Sequence, residues 1–240
     1  MSRAKAKKAT DEGTDFEKLG PGCRRFLKEL AEHNERAWFK ANQDRYEALV
    51  REPARAFVRA MEPVLADLSE HLVADDRKVG GSIMRVHRDT RFGKDKTPYK
   101  TNLGIQFRHE DGKDVHAPGC YLHVAPDECF LGMGMWRPDA KSLRAIREKI
   151  TAEPERWEAI VGAIEAAGWR RGGESLKRAP KGFDADHPLI EELRRKDHIL
   201  VRDLTVAEAT GPGLVERCRD HFATGREHMR FLCEAVGVAF

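Results

Sequence analysis

The hydrophobic period of this chain changes twice, and that change limits its possible folds more than any other feature. In the first part apolar residues recur at helical spacing. Phe26, Leu27 and Leu30 share one face, Trp38, Phe39 and Tyr46 follow, and Phe57, Met61, Val64, Leu65 and Leu68 make a longer stripe behind Pro53, which can open its helix. From residue 83 to 136 the period drops to two. Residues 83–88, 103–109, 120–125 and 129–136 alternate, with a hairpin loop at Glu110-Asp111-Gly112-Lys113-Asp114 and a tight turn at Pro126-Asp127. Helical spacing then returns. Asp139 can cap a helix bearing Leu143, Ile146 and Ile150, and Pro154 can open one bearing Trp157, Ile160, Val161 and Ile164 that ends at Gly168. Residues 170–187 read as irregular and basic, and two helices near 213–222 and 226–236 close the chain. The prediction is an α+β fold: an antiparallel meander of about four strands covered by N-terminal and C-terminal helices.

At 240 residues the chain is long enough for one large domain, read here as 16–240, behind a disordered basic tail at 1–15. Charged residues make up 35% of it and no run of about 18 apolar residues occurs, so no membrane-spanning helix is expected. The tail has no apolar segment behind its basic start, unlike a secretory signal. The five cysteines include no Cys-x-x-Cys pair, which gives no support to a zinc or thioredoxin motif. A reducing, cytoplasmic setting is expected. The formal net charge is +3, yet Arg3, Lys5, Lys7 and Lys8 alone supply four positive charges, so the rest of the chain is close to neutral. A non-specific nucleic-acid binder would carry a more generally cationic surface.

Local charge is another matter. Between Arg85 and Lys100 lie Arg85, Arg88, Arg91, Lys94, Lys96 and Lys100, against only Asp89 and Asp95. Such a loop needs internal carboxylate pairs or an external anion to hold it. It lacks the glycine spacing of a phosphate-binding P-loop. Asp89 and Asp95 can also neutralise their neighbours, with Phe92 and Tyr99 pinning the loop to the core, and both arrangements can hold together.

Pairing across Pro126-Asp127 sets Tyr121 opposite Gly132, Leu122 opposite Leu131 and His123 opposite Phe130. Leu122, Val124, Leu131 and Met133 then face a core. The other face carries Tyr121, His123, Phe130, Gly132 and Gly134. If Arg85 and His87 share it, they join Gln106, Tyr121 and His123 on one polar floor; Tyr121 can equally lie over Gly132 as a structural cover. No ligand spacing calls for a metal at His87, His116, His123 or Asp89, and no cofactor motif is present, so neither is expected.

Several runs taken together carry a likeness. They are Phe26-Leu27 with Asn34, Arg36, Trp38-Phe39, Asn42 and Tyr46; Met84 to Phe92; Lys94-Asp95-Lys96-Thr97-Pro98-Tyr99-Lys100-Thr101; His116-Ala117-Pro118-Gly119; Tyr121-Leu122-His123; Trp136-Arg137-Pro138; Gly173 to Arg178; and Pro180-Lys181-Gly182-Phe183. Over about residues 16–225 the chain resembles the mainly bacterial family called domain of unknown function 2461, with Gly93 where a serine is usual. The resemblance implies membership and no activity, substrate or catalytic residue. It does draw Lys181, beside Lys177 and Arg178, into the same pattern.

The leading expectation is a protein that holds an anionic small molecule between loop 85–101 and the polar sheet face. Its contacts would come from Arg85, Arg88, Arg91, Lys94, Lys96, Tyr99, Lys100, Tyr121 and Lys181. An enzyme of this kind would move protons with His87, Asp89 or His123. A nucleic-acid module and a protein-interaction scaffold are the alternatives. The sequence leaves the oligomeric state open.

Overall fold

The computed structural model describes residues 16–91, 94–112 and 116–240. The tail 1–15 with its expected disorder, Phe92-Gly93 in the basic loop and the hairpin tip at 113–115 lie outside them.

The chain opens with α1 (Gly20–Glu32), α2 (Arg36–Ala41) and α3 (Gln43–Tyr46). One wide π-helical turn, Glu47–Arg51, leads directly into α4 (Glu52–Leu68). In that turn the Glu52 N–H reaches back five residues to the Glu47 carbonyl, just before Pro53, which has no N–H to give. The meander follows as β1 (Leu103–Arg108), β2 (Gly119–Val124) and β3 (Cys129–Met135). Tyr121 does face Gly132, Leu122 faces Leu131 and His123 faces Phe130. The turn between these strands closes with Ala125 N–H donating to the Glu128 carbonyl at 2.9 Å.

After it come α5 (Ala140–Ala152), capped by the Asp139 carboxylate, and α6 (Pro154–Ala166). Next are β4 (Arg170–Gly172), α7 (Ile190–Leu193) and β5 (His198–Leu204). The chain ends through α8 (Val206–Thr210), α9 (Leu214–Thr224) and α10 (Arg226–Val236). The sheet is fully antiparallel in the order β1-β2-β3-β5-β4. The fold is α+β.

Two details differ from the prediction. Residues 83–88 alternate like a strand but change partner halfway, Ile83 bridging Ile105 and His87 bridging Tyr99, so they form no continuous ladder. In addition, β5 and β4 extend the meander, although residues 170–172 had read as irregular.

Strand alternation sorts the sheet into two unlike faces. Ile105, Phe107, Leu122, Leu131, Met133 and Leu200 point to the helices and are all buried. There Phe57 of α4 packs on Phe107 at 6.2 Å and Trp157 of α6 meets His198 at 5.9 Å. On the opposite face Gln106, Tyr121, His123, Phe130 and Ile199 are only partly buried. The helices therefore leave one side of the sheet to do something else.

Candidate functional site

That second face holds a trough of about 320 Å³. Its floor is Gly119, Gly132 and Gly134, its sides are Ile199 and Val201 from β5 and Met84 with Gln106 near β1, and its ends carry Phe130 with His123 and, opposite, Trp136. The volume is at the small end of the roughly 300–1,000 Å³ over which proteins enclose small molecules. Glycine shapes the floor for definite reasons. A Cβ on Gly104 would sit 2.6 Å from the Tyr121 hydroxyl and 3.0 Å from Met84 Sδ, so its absence lets Tyr121 lie flat toward β1. At Gly132 a Cβ would come within 3.3 Å of Tyr121 Cβ, so this tyrosine also covers Gly132 as cross-strand aromatic residues do.

The polar chemistry of the trough is concentrated in one pair. The Tyr121 hydroxyl lies 3.1 Å from His123 Nδ1, and Asn102 Nδ2 approaches the same nitrogen at 3.5 Å. His123 stacks on Phe130 at 4.6 Å with the rings 6° apart. Burial pushes the Tyr121 phenol up to about 12 and lowers the His123 imidazole below its ordinary value. At neutral pH a protonated phenol therefore donates to a neutral imidazole, an assignment that puts the histidine proton on Nε2. The pair can hydrogen-bond a ligand and accept a proton, but it holds no ready nucleophile.

The basic loop leaves the trough at Met84 and returns to it at Asn102. Within it Arg88 pairs with Asp95, and Arg91 Nη2 lies 2.7 Å from Asp89. Lys96 Nζ donates to the Thr90 carbonyl at 2.8 Å. The Arg91 side chain holds the Asp89 carboxyl well below the ordinary range, and Thr97, then Arg88, lower that of Asp95. Such a carboxylate is a poor proton acceptor, so Asp89 serves to order the loop. Arg85 and Lys100 form no ion pair among the described residues. Burial lowers the Lys100 pKa, and repulsion from Arg85 and Arg88 lowers it further. The loop thus neutralises one part of itself and leaves a cluster of positive charge at its base.

A family model described as "Conserved hypothetical protein (DUF2461)" matches residues 23–231. The chain belongs to this family. No curated protein and no solved structure matches it.

Several expected site residues of this DUF2461 protein lie elsewhere. Met84, not Arg85 or His87, faces the trough; one residue of register decides which of them does. Arg85 is exposed, and His87 turns toward Phe39 at 6.4 Å and Tyr99 at 5.1 Å. Tyr99 is buried and stacked on Phe39 at 4.2 Å, where it anchors the loop. Lys94 and Lys181 are exposed, with no ion pair among the described residues, and neither lines the trough. Among the described residues no group of three or more His, Cys, Asp or Glu is placed to hold a metal ion. No helix among them is long and apolar enough to cross a membrane.

Sequence reasoning missed Trp136. It is 43% exposed, yet it has neighbours packed against it. His116 Nδ1 donates to its carbonyl at 2.9 Å and stacks on its ring at 5.7 Å, and the Arg137 guanidinium lies 4.8 Å from the ring centre. The available signal was a tryptophan on the open-face parity of β3, one residue past the strand's end.

Proposed function

We propose that this DUF2461 protein binds a small organic anion, with its body in the trough and its acidic group beside Arg85, Arg88 and Lys100. The observation that carries this reading is the cation cluster at the base of the basic loop, which begins one residue after the trough residue Met84. Burial and then repulsion from Arg85 and Arg88 lower the Lys100 pKa, and of the three only Arg88 forms an ion pair among the described residues. An anion there relieves that repulsion, and an Arg fork with a Lys point charge suits a carboxylate or phosphate. Arg85 directly follows the lining residue Met84, and Lys100 is two residues from Asn102. A proton taken from a ligand would reach His123 through the Tyr121 hydroxyl, because the free nitrogen Nδ1 already accepts from that group.

The cluster matches one acidic group and not a phosphate track, since Arg91 is joined to Asp89 and Lys96 to a backbone carbonyl. Thermal melts with benzoate, phenyl phosphate, inorganic phosphate and a short oligonucleotide test the proposal. A saturable rise in Tm with the small organic anions, weakened by salt and lost in Arg85→Gln/Lys100→Gln, is the expected result. Equal shifts in wild type and variant, or a response to the oligonucleotide alone, would overturn it.

A further inference from the structure

We infer that the body of this ligand is a planar aromatic ring system and not a flexible chain. The inference rests on the trough reading and specifies what the trough selects. Gly119, Gly132 and Gly134 carry no side chains, so the middle of the floor is strand backbone with the Tyr121 side chain lying across Gly132. Aromatic rings stand at both ends. At one, Phe130 is already stacked with His123, 6° from parallel; at the other, the His116 ring and the Arg137 guanidinium pack against the partly exposed Trp136. Aromatic groups gain from stacked or edge-to-face neighbours beyond the area they bury. A flat ring of one or two cycles lies on this floor and meets the Trp136 ring at its end. An alkyl chain gains area but none of that orientation, and the lining offers an open trough in place of a tunnel. Gln106 and the Tyr121–His123 pair add hydrogen-bonding groups at the ring's edge, which suits a ring bearing heteroatoms.

Calorimetry and tryptophan emission with three probes decide the matter: naphthyl phosphate, hexyl phosphate and naphthol. Of the four tryptophans Trp136 alone lines the trough, and Trp157 and Trp169 are buried. A ring in the trough therefore quenches emission in wild type and much less in Trp136→Leu. Naphthyl phosphate is expected to bind about tenfold more tightly than hexyl phosphate, with that margin reduced in Trp136→Leu. Gly132→Val, which fills the floor, gives a second reading of the same margin. Equal affinity for ring and chain in the wild type overturns the inference, even if Arg85→Gln/Lys100→Gln abolishes both and so upholds the anion site. Naphthol binding as tightly as naphthyl phosphate, unaffected by that double variant, upholds the ring and removes the anion. Failure of all three probes overturns both.

Discussion

The side chain of Asn34 satisfies both backbone groups of Tyr99. Its Nδ2 donates to the Tyr99 carbonyl at 3.0 Å, and its Oδ1 accepts from the Tyr99 N–H at 3.0 Å. The α1–α2 turn thereby grips the returning limb of the basic loop, next to the buried ring that stacks on Phe39. Asn34→Ala leaves both groups without that partner and should cost about 1–3 kcal/mol. Asn34→Asp keeps the acceptor, loses the donor, and should fall between. Urea melts measure both, and a wild-type midpoint for Asn34→Ala would show that this grip contributes nothing.

Gly104 should tolerate no side chain. A methyl group there meets the Tyr121 hydroxyl at 2.6 Å, so Gly104→Ala should destabilise the fold by about 1–3 kcal/mol and break the hydrogen bond to His123. Tyr121→Phe removes the same bond without crowding and should cost about 0.5–1.5 kcal/mol. Histidine NMR titration separates the cases: both variants should move the His123 resonance, and only Gly104→Ala should disturb Met84.

His198 and His228 make the protein sensitive to acid. Both are buried beside Trp157, and neither ring nitrogen of His198, nor Nδ1 of His228, has a hydrogen-bond partner among the described residues. Burial, reinforced by Arg195, pulls His228 down to about 3. Burial, then His228, Arg195 and Arg147, lowers His198 well below its ordinary value. The unfolded chain therefore binds more protons than the folded one. Stability is full above the unfolded value near 6.5 and falls as pH drops toward the folded values. The expected slope is up to about 1.4 kcal/mol per pH unit for each histidine. Denaturant melts from about pH 7 to 5, where carboxylates barely titrate, should show the fall, and His228→Phe should reduce it to the share of His198. A level profile in the wild type would contradict this.

Glu234 joins three helices by bridging Arg156 of α6 at 2.7 Å and Lys149 of α5 at 3.0 Å. Arg156, then Lys149, holds its carboxyl down to about 2. With 37% of the side chain exposed, solvent screens the bridge, and Glu234→Gln should cost no more than about 1 kcal/mol at neutral pH. The cost should shrink in high salt and vanish as pH falls from the unfolded carboxyl value through the folded one. A larger loss that ignores salt would mean packing, not charge, holds α10 there.

What could be read from sequence followed how local each signal is. The register of Tyr121 on Gly132 and His123 on Phe130 was legible because a tight turn and strict alternation leave one pairing. The place of residues 83–88 was not, because alternation reveals faces and not partners, and this segment has two partners in succession. β4 escaped notice because Arg170-Arg171-Gly172 holds no apolar residue; its ladder to β5 is made by backbone groups. Within the site, Tyr121 and His123 were legible from their strand positions. Which cations would be left over was not, since pairing Arg88 with Asp95 and Arg91 with Asp89 depends on how the loop folds back on itself.

The trough and the core are written in the same strands at alternate positions. On β3 the even-numbered residues face the trough and the odd-numbered ones face the helices. On β2 the parity is reversed. One residue inserted at Pro126-Asp127 would exchange these roles along β3, turning Leu131 and Met133 outward and Phe130 inward. Replacing Tyr121, His123 or Phe130 in place changes no residue of the core-facing set. The open face and the core are thus stored on separate channels of one short message, coupled mainly where Tyr121 covers Gly132.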